Sequence, residues 1–460
     1  MTLDELCSRR VVVWGLGREG LAFTRLLLGR GVVPRLVDDR PGEARAALAG
    51  PGGPGGDVAA GLTVEAPGGT ALAGAEVVVR APGVSRYRPE LVAAAAAGTT
   101  VTTPMAVWLE DVADRPVLAV TGTKGKSTTA SLAARILRAG GLEVALVGNI
   151  GAPVTDLYDD DGADVVVVEV SSYQAADVQV SPGLVVLTSL APDHLDWHGS
   201  EEAYYRDKLR LVEAGPPGVL AVNARSEEAL RRTAGHPRRT LFGPSGRVSV
   251  DHAATVTVDG EILVDGSGLR LLGSHNLDNL CGAITGAMLL DGHPPAASTV
   301  TDVVASFEGL PSRCQVVGVR DGVTFVDDAL ASNPFASAAS IGAFPDRELT
   351  VILGGADRGV DPGDLVEMLA RRHPTPGVVL LPPGSERLVR MLAERSAEAG
   401  TTVPVAVAGD VADAVDAAVG MTAPGGVVLF SPAAPTPAGE GGYGARSRQF
   451  VAAAGLGAQH

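Results

Sequence analysis

Val117-Leu-Ala-Val-Thr121-Gly-Thr-Lys-Gly-Lys-Ser-Thr128 decides the fold. Four apolar residues in a row suit a strand covered on both faces, as strands of parallel sheets are. The glycines that follow let successive backbone N–H groups converge on phosphate oxygens, and the helix expected from Ser127 adds its positive N-terminus. Leu132, Ile136 and Leu137 share one face of that helix until Gly140-Gly141 stops it. Strand, glycine turn and helix together predict a phosphate cradle, in which Lys126 reaches the terminal phosphate and Ser127 can ligate Mg²⁺. The spacing Gly122-x-x-Gly125-Lys126-Ser127 is two residues shorter than the general G-x4-G-K-[ST] loop, which disfavours an ordinary motor or GTPase. A Gly-Lys-Ser turn can also simply start a helix. The apolar strand before it and the density of glycine argue for the cradle.

Downstream, Val165 to Val168 and Leu184 to Leu187 are further continuous apolar runs. Glu169 directly follows the first of them, so it should emerge at the carboxyl end of a buried strand, where doubly wound sheets place their ligands. A carboxylate there can hold Mg²⁺ or merely cap the surface; Ser171-Ser172-Tyr-Gln174 behind it adds polar groups that a bland turn does not need. Asp193-His194-Leu-Asp196-Trp-His198 follows the second run at the same end of the sheet. Ser200-Glu-Glu opens a helix with acids in its first turn, and Lys208 lies one turn after Tyr204 on it. From the residues alone, Lys208 reads as a solvated helix position.

Upstream, Val11 to Trp14, the turn Gly15-x-Gly17-x-x-Gly20, an apolar helix and Pro34 to Asp38 form one βαβ unit. With Asp38 and Asp39 about 20 residues on, this is the dinucleotide fingerprint, and its plain reading is NAD. The same turn serves any nucleotide diphosphate. Glu76 to Arg80 is another short strand ahead of Ala81-Pro82-Gly83. Toward the C-terminus, Val316 to Val319 and Val323 to Val326 flank Asp321-Gly322 as a hairpin, and Leu349 to Leu353, Val378 to Leu381 and Val427 to Phe430 supply buried strands. The expected fold is α/β in three domains: a Rossmann-like domain over 1–104, a central P-loop ATPase-type parallel-sheet domain over 105–310 and a Rossmann-like domain over 311–460.

At 460 residues the chain exceeds what one core usually serves. Its 46% hydrophobic and 20% charged residues are those of a globular protein, and a net charge of -16 argues against coating nucleic acid or anionic lipid. Cys7, Cys281 and Cys314 are unpatterned and support neither a disulfide framework nor a cysteine zinc site. Met1 to Arg10 carries acids rather than a signal peptide's basic and apolar regions, and no run approaches the ~18 apolar residues of a membrane span. A cytoplasmic monomer without nucleic-acid or membrane partners is expected.

Thr121 to Thr128, Glu169-Val-Ser-Ser-Tyr-Gln174, Asp193-His194-Leu-Asp196, His275-Asn276-x-x-Asn279, Leu310-Pro-x-Arg313 and Leu353-Gly-Gly-x-Asp-Arg358 occur in this order across the whole length. In this the chain resembles the Mur ligase family, and within it the branch that adds glutamate to UDP-N-acetylmuramoyl-L-alanine, whose first domain holds UDP on such a Gly15 to Gly20 turn. The resemblance implies an ATP-dependent, amide-forming ligase of peptidoglycan precursor synthesis. It implies that Gly15, Gly17, Arg18, Glu19, Asp38 and Asp39 lie at the UDP moiety, and that Asn149, Ser171 and Gln174 lie along the muramoyl substrate. Gly122, Thr123, Lys124, Gly125, Lys126, Ser127 and Thr128 would hold the ATP phosphates, with Asn279 at adenine and Arg313 and Asp328 closing over the nucleotide from the third domain. It further implies two Mg²⁺ ions, one on Ser127 and Glu169, the other on His194 and Lys208, the lysine being carbamylated in the family. Lys126, His194 and Lys208 would thus be the catalytic residues.

The glutamate pocket departs from the D-glutamate enzymes of the family, which carry lysines where this chain has Leu330 and Arg358, threonine at Ser332, serine at Thr436 and phenylalanine at Tyr443. Enantiomers that present the same amine must direct their carboxylates differently, so a changed set of cations and hydroxyls suggests a rearranged pocket. With Trp14-Gly-x-Gly-Arg-Glu-Gly20, Tyr87-Arg-Pro-Glu90, Asp196-Trp-His-Gly-Ser200 and Asn279-Leu-Cys281, these departures resemble the branch that adds L-glutamate. The rivals are the D-glutamate reaction, a folyl or peptide glutamyl ligase, an NAD-dependent oxidoreductase, and a nucleotide-binding module without chemistry.

Overall fold

The computed structural model describes residues 1–460 apart from 51, 69, 113–114, 160–161, 216–217, 270, 272, 357–359, 438 and 457–460. It divides into two compact units, Met1–Ser267 with Leu277–Val304, and Gly268–Asn276 with Ala305–His460.

The first unit carries two sheets. β1 (Val11–Trp14), β2 (Arg35–Val37), β3 (Val64–Glu65), β4 (Val77–Arg80) and β5 (Thr100–Thr102) form a parallel sheet in the order β3-β2-β1-β4-β5. Val11 and Val13 of β1 pack on one side with Phe23 and Leu27, while Val12 and Trp14 pack on the other with Val78 and Leu91. Covering both faces in this way is what the unbroken apolar run requires, and each side chain so buried contributes roughly 1.5–3 kcal/mol. The strand order reverses between β1 and β4, so the Gly15 turn leaves the sheet at its switch point.

The second sheet holds β6 (Val117–Thr121), β7 (Val144–Gly148), β8 (Val165–Glu169), β9 (Leu184–Leu187), β10 (Val219–Asn223), β11 (Arg239–Phe242), β12 (Val248–Val250), β13 (Thr255–Val258) and β14 (Glu261–Asp265), ordered β14-β13-β12-β11-β10-β9-β6-β8-β7. It is parallel from β7 through β12 and ends in the antiparallel pairs β12–β13 and β13–β14. β6 lies between β8 and β9, so the turns after these three strands open at one edge of the sheet. The helix Lys126–Ala139 leaves the turn after β6, buries Leu132, Ile136 and Leu137, and is capped by Gly140.

The second unit is built on β15 (Gln315–Arg320), β16 (Val323–Asp327), β17 (Leu349–Leu353), β18 (Gly377–Leu380), β19 (Val405–Val407) and β20 (Val427–Phe430), ordered β15-β16-β20-β17-β18-β19. Only β15–β16 is antiparallel; its Asp321-Gly322 turn has φ of 53° and 79°, as a tight hairpin demands. Among the described residues no helix is long and apolar enough to cross a membrane.

Candidate active site

The turn after β6 is shaped by what its glycines lack. Gly122 has φ +150°, and a Cβ there would fall 2.0 Å from Thr188 Oγ1; at Gly125, with φ +84°, it would fall 2.3 Å from Asn279 Oδ1. Hydroxyls from the end of β9 hold the loop. Thr188 Oγ1 donates to Lys124 O at 2.5 Å, and Ser189 Oγ accepts the Lys124 N–H at 2.8 Å. Thr123 Oγ1 donates to Ala191 O and lies 2.7 Å from the Tyr204 hydroxyl. Gly125 caps the helix Lys126–Ala139, so N–H groups of its first turn, where Ser127 and Thr128 lie, present positive potential beside Lys124 and Lys126. Lys126 Nζ donates to Thr123 O at 3.0 Å, and Lys124 pairs with Asp193 at 3.5 Å. This concave cationic loop fits a polyphosphate.

Glu169 ends β8 fully buried, so it is no surface cap. Ser127 Oγ donates to one of its oxygens at 2.6 Å and Asn149 Nδ2 to the other at 2.7 Å. A hydroxyl and a carboxylate at the cradle's mouth are oxygen donors of the kind a hard divalent cation takes, so Mg²⁺ fits this pair. His194, in the left-handed region with φ 52° and ψ 39°, sets its ring 4.8 Å from that of Tyr173. Burial, reinforced by Lys126, Lys208 and Lys124, pushes its pKa down to about 4, leaving a neutral imidazole able to ligate. Among the described residues no three His, Cys, Asp or Glu side chains gather as a metal site.

Lys208 overturns its reading as a solvated position: it is 1% exposed, with Nζ donating to Gly122 O at 3.0 Å. Burial, and then the charge of Lys126, holds its pKa well below the usual lysine value. As an amine it offers a metal no oxygen; as a carbamate it would.

Around the Gly15 turn, Gly15 N–H bonds Val37 O, and Asp38 accepts the N–H groups of Leu16 at 2.7 Å and Arg40 at 2.8 Å. Asp38 therefore ties its own turn together, while Asp39 pairs with Arg88 at 2.7 Å. Gly17 precedes the helix that Arg18 opens, and Arg18 donates to the carbonyls of Gly148 and Gly151 at 2.8 Å. Glu19, 8% exposed, accepts from Gln174 Nε2 at 2.7 Å, and its other oxygen has no partner. Burial raises its pKa to about 7. Ser171 caps the short helix Ser172–Ala175 in a reciprocal box with Gln174. Asn279 lies against the start of the cradle helix, its Oδ1 accepting from Thr129 Oγ1 at 3.3 Å.

In the second unit, Asp328 is buried and accepts from Ser340, Ser431 and the Cys314 N–H, and burial raises its pKa to about 6. Arg313 and Thr436 are half-buried, and Ser332 and Tyr443 are exposed. Arg358 lies outside the described residues. Reasoning from sequence passed over Thr188 and Ser189, although hydroxyls directly behind the apolar run Leu184 to Leu187 marked the same sheet edge.

Residues 9–103 match the Mur ligase MurD-like N-terminal domain, 120–287 the Mur ligase middle domain and 312–434 the Mur ligase glutamate ligase domain. The chain is 40% identical to a UDP-N-acetylmuramoyl-L-alanine--L-glutamate ligase of a Micromonospora species, covering 95% of this chain and 94% of that one. It is 38% identical to the protein of that name from Salinispora tropica, over 95% of each. In fold it is similar to the MurF ligase of Thermotoga maritima solved in complex with ADP, with a TM-score of 0.57 and 16% identity, covering 98% of this chain and 97% of that one.

Proposed function

Because the chain belongs to the Mur ligase family, we propose that it joins L-glutamate to UDP-N-acetylmuramoyl-L-alanine at the expense of ATP, in domains spanning 1–104, 105–310 and 311–460. The observation that carries the chemistry is the glycine cradle of Gly122 to Ser127, with buried Glu169 at its mouth. Relatives named for L-glutamate, at 38–40% identity over nearly the whole chain, carry the choice of enantiomer.

A carboxylate acylates poorly, so the alanyl carboxylate attacks the γ-phosphorus of ATP, displacing ADP and forming an acyl phosphate; the glutamate amine then attacks its carbonyl carbon, loses a proton and expels phosphate to leave the amide. Lys126, assisted by Lys124 and N–H groups of the first helical turn, offsets charge on the transferring phosphoryl group. Asn279 is assigned to adenine, and Arg313 and Asp328 to the nucleotide. Ser127 and Glu169 are assigned one Mg²⁺, and His194 with a carbamylated Lys208 a second. Divalent cations bound there supply positive charge against the phosphoryl oxygens. Arg18, Glu19, Asp38 and Asp39 are assigned to the UDP end, Asn149, Ser171 and Gln174 to the muramoyl arm, and Ser332, Thr436 and Tyr443 to glutamate. We assign the enzyme to the cytoplasm and as a monomer.

An oxidoreductase reading would use the Gly15 turn for a dinucleotide, and it leaves the second glycine cradle, Gly122 to Ser127 with buried Glu169, without a use. Incubation with ATP, Mg²⁺, UDP-N-acetylmuramoyl-L-alanine and each glutamate enantiomer separately tests the assignment. Product from L-glutamate is expected; product mainly from D-glutamate overturns the enantiomer, and no phosphate release with either overturns the ligase.

A further inference from the structure

Two stretches that the sequence marked only as branch features, Tyr87-Arg-Pro-Glu90 and Asp196-Trp-His-Gly-Ser200, meet in the first unit beside Lys208. Asp207 immediately precedes Lys208 in the helix Glu201–Glu213 and is 1% exposed. The Tyr87 hydroxyl lies 2.9 and 2.8 Å from its two oxygens, and His198 Nδ1 lies 2.7 Å from Oδ2. His198 Nε2 is 3.0 Å from Ser172 Oγ, and Arg206 donates to the Tyr87 oxygen at 2.7 Å.

Ser172, His198 and Asp207 thus have the spacing of a hydrolytic triad. A nucleophile must meet its substrate, and Ser172 and His198 are each 2% exposed. The imidazole sits among the rings of Tyr173, Trp197 and Tyr204. The network therefore holds structure rather than attacking a carbonyl.

What it holds is the helix. Consecutive helical residues point about 100° apart. Lys208 is fastened to Gly122 O on one side while Asp207 is fastened to Tyr87 and His198 on another. One turn earlier, Tyr204 reaches Thr123 of the cradle. Turning or sliding the helix enough to displace the Lys208 amine would strip a buried carboxylate of its donors, a heavy cost in a dry site.

We propose that Tyr87, His198 and Asp207 are positioning residues that fix the Lys208 amine where it takes up carbon dioxide, so that the loop after β4 governs the competence of the cradle. This rests on the reading of Lys208 as a carbamate. In that step the amine lone pair attacks the carbon of CO2, an N–C bond forms, one C–O π pair moves to oxygen, and an N–H proton leaves to solvent. An amine confined to one place loses less freedom on reacting than one swinging on four torsions, so loosening the helix lowers occupancy at a given CO2 concentration.

The test is ¹³C NMR of the full chain in ¹³C-bicarbonate, with Lys208→Ala to assign the carbamate resonance. Tyr87→Phe removes one hydroxyl from an exposed residue. It is expected to lower carbamate occupancy roughly fivefold, the scale of one lost hydrogen bond, and to lower kcat while leaving KM for ATP unchanged. Higher bicarbonate should restore both, which a merely structural defect would not allow. Asp207→Asn should act in the same sense and more strongly; if it does not fold, Tyr87→Phe decides. A wild-type chain without the resonance overturns the reading of Lys208, and the inference with it. A wild-type resonance undiminished in the folded variants overturns the inference alone.

Discussion

The turn Gly15 to Gly20 after β1 and the turn Gly122 to Ser127 after β6 are alike in plan, each leaving a strand buried on both faces and entering a helix. They differ in the charges around them. The first has Asp38, Asp39 and Glu19 about it, and its cations are taken up locally, Arg88 by Asp39 and Arg18 by backbone carbonyls. The second gathers Lys124, Lys126 and Lys208 within electrostatic reach of one another, with Glu169 and Asp193 opposite. Glycine makes the room in both; the ionisable side chains decide what enters it. A glycine pattern read without its charged surroundings is therefore a statement about backbone shape and not about the ligand.

The largest expected difference is catalytic. Lys126→Ala should lower phosphate release by about 10³-fold, on the order of 4 kcal/mol of transition-state stabilisation, without changing the unfolding midpoint. Arg18→Ala should keep turnover at saturating substrate within about threefold, because it removes binding and not phosphoryl stabilisation. Equal losses in steady-state kinetics would break the contrast between the turns.

Next comes packing within the first turn. A Cβ on Gly20 would sit 1.9 Å from Gly15 O, whereas one on Gly17 meets nothing within 4 Å. By denaturant unfolding, Gly20→Ala should cost about 3 kcal/mol and Gly17→Ala less than about 0.5 kcal/mol. Similar costs would show that the turn relaxes and that its shape is not fixed by close approach.

The smallest effect is a dependence on pH. Glu19 titrates at about 7 when folded against 4.5 when exposed. Its folded pKa is the higher, so the stability linked to its protonated form is present below the unfolded value and lost as pH rises through about 7. Between pH 5 and 8 the wild-type chain should lose on the order of 2 kcal/mol through this group, and Glu19→Gln should lose correspondingly less. An unchanged slope in the variant would move the pH dependence to other groups.

Buried parallel strands were legible because their apolar runs are continuous: β1, β6, β8, β9, β17 and β20 fall where the runs do. β10 to β14 were passed over, although Asp259-Gly260 between β13 and β14 carries the same turn as Asp321-Gly322, with φ of 52° and 87°. β13 and β14 are half-buried and mix Thr, Glu and Asp with their apolar residues, so the strand signal is diluted. Lys208 was legible in one respect. Tyr204, Lys208 and Leu211 follow the spacing of a buried helical stripe, and only the charge of lysine argued against it. The Tyr87–Asp207–His198 network was not legible, since its members lie up to 120 residues apart and nothing local pairs them.

β20 occupies the middle of its sheet, between β16 and β17, although it follows every other strand of that sheet in sequence. A ribosome therefore makes β15 to β19 before the strand that joins their two halves exists. Until Val427 to Phe430 emerge, β16 and β17 each carry an open edge and uncovered Val, Ile and Phe side chains, the surfaces on which nascent chains aggregate or recruit chaperones. Completion of this unit is consequently a late, nearly all-or-none event in synthesis, and a chain interrupted before residue 427 should be a substrate for proteolysis rather than a shortened enzyme.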